Sequence, residues 1–275
     1  MAKGTVSGVD TQDVLGNVAV GGGAGAGITT GVGNSLIGCQ SGDAVTTGKC
    51  NVSIGTAALG ASTTGCLNIG IGATAMGAAI VTGINNIAVG TTSMDALTSG
   101  ICNIAIGTNA LGASTTGCEN VAIGELTGGA GVVVGKQNVF LGYRAGHNAT
   151  SGDQNVVIGS DVGFALTTGK KNVMIGLNAG GGMLSGCNNV FIGNAPGNNA
   201  VEGGTNIAIG NATSDAITTG IGNYLFSSFH LLGGTAGFRL LLGTGGAFTV
   251  HDCTNTSGID KGNSTIIFLP SNTIK

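Results

Sequence analysis

The sequence predicts an all-β protein, a parallel β-solenoid of about thirteen 17-residue coils. Three observations predict this fold: a short motif that recurs at a fixed interval, alternating apolar positions within the motif, and glycine at 56 of 275 residues. Helices tolerate neither this alternation nor so much glycine. Because only 8% of the residues are charged, a disordered chain is excluded as well.

The repeated motif reads Asn, usually Val or Ile, any residue, an aliphatic residue, Gly. Twelve full copies are followed by a degenerate thirteenth, in which Ser227 replaces the glycine. Ten of the twelve intervals are 17 residues long and two are 18, so two coils must place one extra residue in a bulge or a longer turn. The copies start at Asn17, Asn34, Asn51, Asn68, Asn86, Asn103, Asn120, Asn138, Asn155, Asn172, Asn189, Asn206 and Asn223.

Positions in a coil are counted here from its asparagine, so that +1 is the next residue. Positions +1 and +3 are aliphatic, with Ser35 as the one exception in the twelve full copies, and position +4 is always glycine. Apolar alternation between glycines is typical of a short β-strand between turns. Since one 17-residue unit buries almost nothing alone, the coils must stack, and thirteen coils spaced about 4.8 Å apart give a rod roughly 60 Å long.

The two faces of each strand are expected to have different roles, because successive side chains point in opposite directions. We expect positions +1 and +3 to line the inside of the coil. Position +2 is never charged from Ala19 to Ala208, so we expect this column to face outward and to pack on partner chains.

The chain divides into a solenoid at 17–223 and two flanking segments. Residues 1–16 are expected to form an N-terminal cap or attachment segment. Residues 224–275 hold five of the eight phenylalanines and no repeat, and we expect a β-rich cap there because solenoid ends expose unpaired strand edges. The predicted strands of this tip are Arg239–Gly243, Ala247–Val250 and Thr265–Leu269.

Charge and residue spacing argue against several classes of function. Nine scattered Lys and Arg residues and a net charge of −3 provide no basic surface for nucleic acid. No apolar run is long enough to predict membrane insertion. Neither a catalytic site nor a metal or other cofactor is predicted, so the chain is not expected to be an enzyme.

Seven cysteines show no spacing typical of a zinc site. Cys50 and Cys66 lie on adjacent coils one column apart, and so do Cys102 and Cys118. Disulfides at these two pairs remain an open alternative, whereas buried free thiols are the favoured interpretation.

The Asn-Val-Ala-Ile-Gly unit at Asn120 resembles the Ser-Val-Ala-Ile-Gly unit of trimeric autotransporter adhesin heads, which form a left-handed β-roll. It is more similar to the Thr-Thr-Gly…Asn-Val-x-Ile-Gly repeats of bacteriophage tail fibres. The resemblance covers Asn17 to Gly222 and, with the uncharged +2 column, implies a homotrimer. The 17-residue period is longer than that of the adhesin heads, and no signal peptide or membrane anchor is visible, which favours the virion fibre.

We therefore expect a structural fibre of a virion, located on the particle or outside the cell, that presents a host-attachment surface. Its expected partners are further copies of itself, other virion or fibre proteins, and an unidentified host receptor at the turns or the tip. A trimeric bacterial adhesin head is one alternative. An ice-binding β-solenoid is another, because repeated Thr pairs, such as Thr46-Thr47, would stack into ladders.

Overall fold

The computed structural model describes residues 16–198, 202–213 and 219–226. Across these ranges, thirteen short strands form one sheet in chain order, each parallel to the next, and there is no helix. The predicted parallel β-solenoid is confirmed. The strands are β1 (Val18–Val20), β2 (Ser35–Ile37), β3 (Val52–Ile54), β4 (Ile69–Ile71), β5 (Ile87–Val89), β6 (Ile104–Ile106), β7 (Val121–Ile123), β8 (Val139–Leu141), β9 (Val156–Ser160), β10 (Val173–Leu177), β11 (Val190–Asn194), β12 (Ile207–Ile209) and β13 (Tyr224–Phe226).

Every strand pairs so that equal motif positions lie side by side. The two 18-residue coils keep this register, because Ile69 pairs with Ile87 and Val121 pairs with Val139. The extra residue is therefore placed outside the strands. It lies in the turn that precedes the next strand, which is the second of the two alternatives, a bulge or a longer turn, that the intervals left open.

The extra residue changes which side chain faces the core in those two turns. Ile80 is 60% exposed and Val132 is 50% exposed, whereas the residues that follow them, Val81 and Val133, are buried. Each long turn thus extrudes one aliphatic side chain and buries the next.

The sheet extends slightly beyond the predicted solenoid. Tyr224–Phe226, assigned above to the tip, pairs with β12 as the last strand of the sheet. The N-terminal segment up to residue 15, and residues 227–275 with their three predicted strands, lie outside the described residues.

An asparagine ladder, formed by the asparagine that starts each coil, connects all thirteen coils. Asn103 Nδ2 donates to the Asn86 side-chain oxygen at 3.0 Å and to the Gly117 carbonyl oxygen at 2.7 Å. Asn103 Oδ1 accepts from the backbone N–H and from the side-chain amide of Asn120, each at 3.1 Å. Since the interior asparagines are buried, these bonds satisfy polar groups that water does not reach.

Backbone conformation explains the conserved spacing of glycine along the coil. Position +4 has a φ between +121° and +136° in all twelve copies, a region closed to other residues. A Cβ added at Gly90 would also lie 2.5 Å from the Gly107 carbonyl oxygen of the next coil. Position −1, just before the asparagine, is left-handed in all thirteen copies, with φ from +54° to +71°.

The interior is lined by position +2, so the sequence-based assignment of the strand faces is wrong. Leu36, Ala105 and Phe191 at this position are fully buried, while positions +1 and +3 point outward. Because the coil is short, its interior has room for one side chain from the strand, at +2. The other interior side chains, at +7, +8 and +11, come from the part of the coil that leads back to the next strand. The two β-branched columns are left on the outer face.

Positions +2 and +8 compensate each other in volume. Where +2 is small, +8 is Leu or Met, and where +2 is large, +8 is glycine. A Cβ added at Gly146 would lie 2.5 Å from Phe140 Cδ1, and one at Gly42 would lie 2.8 Å from Leu36 Cδ2. The pairs are Ser53–Leu59, Gly70–Met76, Ala88–Met94, Ala105–Leu111, Leu36–Gly42, Phe140–Gly146, Val157–Gly163, Met174–Gly180 and Phe191–Gly197.

Two coils of the described chain are exceptions, because they have small residues at both positions, Ala19 with Gly25 and Ala122 with Gly128, and their neighbours fill the space. A Cβ added at Gly128, the partner of Ala122, would lie 3.0 Å from Leu111 Cδ2 and 3.5 Å from Phe140 Cδ2. The constraint is therefore on the packing density of adjacent coils together, as in other protein interiors.

Replacing a ladder asparagine should destabilise the rod strongly. Asn103→Ala leaves the Gly117 carbonyl and the Asn120 N–H buried without partners, at a cost of about 2–4 kcal/mol. Asn211→Ala is the control, because Asn211 is exposed and its side chain makes no hydrogen bond to the described residues. Denaturant unfolding measures both changes, and equal midpoints for the two variants would contradict a structural role of the ladder.

Volume compensation predicts a rescue between positions +2 and +8. Ala105→Phe alone overpacks the coil and should cost about 1–3 kcal/mol or more. Adding Leu111→Gly should recover at least about 1 kcal/mol, because the double variant reproduces the Phe140–Gly146 arrangement. A double-mutant cycle measures the coupling. Additive effects of the two substitutions would show that the columns are packed independently.

Candidate interaction surface

The largest regular surface of the described chain is an apolar one, here named the outer strip. It consists of positions +1 and +3 of the first twelve strands and of Tyr224 in the thirteenth, and in the first twelve strands Ser35 alone is not aliphatic. Val18 and Ile37 are each 42% exposed, and Ile106 is 39% exposed. β-Branched side chains at these positions pack against their neighbours along the parallel ladder, which explains why a solvent-facing column remains aliphatic.

The dimensions of the outer strip match those of a protein interface. Its two columns lie about 7 Å apart, and twelve steps of about 4.8 Å make it roughly 58 Å long. The exposed apolar area is on the order of 1,000 Å², above the roughly 800 Å² per partner of a typical stable complex. Monomeric soluble proteins seldom expose a patch beyond about 600 Å². The outer strip is therefore large enough for a protein interface.

The threonine pairs serve mainly to seal adjacent coils. In three of these pairs the hydroxyl of the first Thr donates to a carbonyl of the next coil, as from Thr46 to Thr63 at 3.1 Å and from Thr167 to Leu184 at 2.9 Å. The second Thr, such as Thr47, is exposed. The stacked Thr pairs thus present one exposed column of threonines, whereas hydroxyl groups of the other column make hydrogen bonds to the backbone.

The described cysteines lie on the outside of the coils, so the expectation of buried thiols is wrong. All six are free, and neither of the two open disulfide pairs is formed. They occupy positions −1, −2 and +5, which point outward in this fold. Cys39, Cys50 and Cys102 are exposed, and Cys66, Cys118 and Cys187 are partly exposed.

Charged side chains beside the strands pair between coils. Lys170 Nζ lies 2.8 Å from Asp153 Oδ2, and the Lys136 N–H donates to Asp153 Oδ1 at 3.0 Å. The hydrogen bond from Lys170 holds the pKa of Asp153 below its ordinary value. Because the pair is open to solvent, its contribution to stability is small.

A second surface feature breaks the small-residue pattern of the turns. Arg144 Nη2 lies 2.6 Å from Asp161 Oδ1, and the guanidinium carbon lies 4.6 Å from the centre of the Phe164 ring. The His147 ring stacks on the same phenylalanine at 5.2 Å. Arg144 Nε is buried and has no acceptor among the described residues. We name these four side chains the Arg144 cluster.

Arg144, Asp161 and Phe164 of this cluster form one side of a shallow groove. Gly181 lies in the floor, at position +9 of the coil that follows Phe164, and Asn198 occupies position +9 one coil further on. Asn178 and Leu177 complete the wall, and Leu177 is 51% exposed. The groove therefore exists because one coil carries no side chain where both of its neighbours do.

Sequence reasoning did not find this groove. Its residues come from four coils, and no two of them form a motif along the chain. The available signal was compositional, because the Arg144 cluster places aromatic and charged residues at positions +6 and +9, where most coils have Gly, Ala, Thr, Asn or Asp.

In the described ranges, no three His, Cys, Asp or Glu side chains are grouped to hold a metal ion. The same ranges contain no helix of the length and apolar character needed to cross a bilayer. No known protein family, curated protein or solved structure matches this chain. The similarity to adhesin and tail-fibre repeats therefore depends on the sequence motif alone.

Proposed function

We propose that the chain is a structural fibre protein of a virion, which assembles as a homotrimer through its outer strip and presents a host-attachment surface. The observation that carries this proposal is an apolar face continuous along thirteen strands. A face of this length requires partners that are equally long and straight, and further copies of the same rod meet that requirement.

The two-column width of the outer strip favours a trimer. Around a threefold axis parallel to the rods, the +1 column of one chain packs against the +3 column of the next, and the ring closes after three chains. Each chain then uses both columns, and every contact is the same. The motif resemblance to trimeric fibres supports the same arrangement.

The regular positions of the coil also support a structural role. They hold aliphatic residues, Asn, Gly and Thr, which provide packing and backbone hydrogen bonds. We propose no chemical reaction for the chain, and assign contact with the host to side chains in the turns.

The two alternative functions differ in how well the surfaces suit them. An adhesin head would use the same rod and the same outer strip, so the location of the protein separates it from a virion fibre. Ice binding is less well supported, because in three of the Thr pairs the first Thr donates its hydroxyl proton to a carbonyl of a neighbouring coil. A flat array two threonines wide is therefore not presented.

Charge on the outer strip should abolish the trimer. Ile104→Glu and Ile106→Glu place carboxylates in the +1 and +3 columns, and burying them between chains is unfavourable. Ile80→Glu is the matched control, because Ile80 is 60% exposed on a turn away from the strip. Sedimentation equilibrium should give a trimer for the unmodified chain and for the control, and a monomer for the two strip variants.

Ala105→Glu does not test the same interface, because Ala105 is in the core and its replacement would unfold the coil. A stable monomer or a dimer of the unmodified chain would overturn the proposed assembly. A trimer in both strip variants would show that another surface joins the chains.

The location of the protein tests the virion assignment. An antibody against the purified chain, carrying gold, should label a projecting fibre on virus particles from the source culture. Labelling of the bacterial envelope alone would favour the adhesin head. Thermal hysteresis of the purified chain would instead indicate ice binding.

A further inference from the structure

We propose that the groove around Gly181 binds a neutral saccharide. As an attachment site, this assignment rests on the proposed fibre function, since it names the class of receptor that the turns would contact. The ability of the groove to bind depends only on residues of one chain.

The groove is about the size of one sugar ring. Phe164 and Asn198 occupy equivalent positions two coils apart, which is roughly 10 Å along the rod at about 4.8 Å per coil. Between them, Gly181 contributes no side chain. The aromatic ring and the exposed Leu177 side chain supply apolar walls for the C–H groups of a sugar ring, as in other small-molecule sites.

Two amide side chains converge on the floor of this groove. A Cβ added at Gly181 would lie 2.7 Å from Asn198 Oδ1 and closer still to Asn178 Oδ1. Neither side chain makes a hydrogen bond to the described residues, whereas the ladder asparagines are fully paired. An amide offers both donors and acceptors, and a sugar hydroxyl group requires both. These two asparagines are therefore the groups that would bind hydroxyls.

The charges of the groove favour a neutral ligand. Arg144 and Asp161 are the two charged residues that line it, and they neutralise each other at 2.6 Å. Asp161 Oδ2 also accepts from the Ser160 hydroxyl at 3.2 Å. A phosphate or a sialic acid would have to compete with the carboxylate for the guanidinium, whereas a neutral hydroxyl needs only an acceptor or donor at the rim.

A larger side chain in the floor of the groove tests directly whether the saccharide binds there. In Gly181→Leu, the new side chain occupies the groove and displaces the ends of two flexible asparagines. Gly112→Leu is a matched control, because Gly112 also lies at position +9, and a Cβ there meets Asn109 Oδ1 in the same way. Coil 103–119, where it lies, has no Arg144-type cluster at its turns. Thermal unfolding of both variants shows that the rod is intact.

The full-length chain is first applied to a printed array of neutral hexose and N-acetylhexosamine oligosaccharides, beside sialylated and phosphorylated ones. The tightest neutral ligand is then titrated calorimetrically into each variant. We expect binding of neutral glycans, at least about tenfold weaker in Gly181→Leu and unchanged in Gly112→Leu. Phe164→Ala, which removes the apolar wall without filling the groove, should weaken binding by a similar factor.

Three results would overturn the assignment: no binding to any neutral glycan, binding to acidic glycans alone, or full binding by both Gly181→Leu and Phe164→Ala. Sedimentation of the same samples separates this outcome from a failure of the proposed function. A trimer without glycan binding rejects the groove and leaves the fibre assembly standing, whereas a monomer that binds glycan rejects the assembly and leaves the groove standing.

Discussion

The asparagine ladder is the interaction on which the rest of this fold depends. Each interior asparagine is a buried amide that donates to a glycine carbonyl and accepts from the next asparagine. All of them except Asn68 also donate to the side chain of the previous asparagine. Apolar contacts alone would allow a coil to shift along or across its neighbour. A buried amide does not, because any displacement leaves unpaired polar groups in the interior. The columns of the outer strip stay aligned from coil to coil because this register is never lost.

Much of the fold could be predicted from the sequence because the spacing of Asn and Gly repeats from coil to coil. Register and strand position depend on local columns. The two 18-residue intervals left a bulge or a longer turn open, and the structure has longer turns, at Ile80 and Val132. The strand faces were assigned the wrong way round. The alternation of the strand shows that the side chain at +2 points away from those at +1 and +3. It does not show which of the two faces lies inside the coil. The large aliphatic residues at +1 and +3 suggested that these positions are inside, which is wrong. The inverse sizes of residues such as Phe140 and Gly146 were the signal for the interior.

The groove could not be predicted from the sequence, for a different physical reason. It depends on side chains that are neighbours across coils, and on a missing side chain at Gly181 between them. Column composition alone does not show which turns project and which recede. The outer strip and the groove occupy different positions of the coil, +1 and +3 for one and mainly +5, +6 and +9 for the other. The proposed assembly and the proposed ligand binding thereby use separate residues of one repeat.

The preserved register of the two longer coils makes the rod a molecular ruler. Ile69 pairs with Ile87 across 18 residues as regularly as Ile104 pairs with Val121 across 17. Length along the axis therefore counts coils and not amino acids, at about 4.8 Å for each. Duplication of a single unit in the gene would lengthen the rod by one step, while insertions within a turn would widen it locally and leave the distance between its ends unchanged.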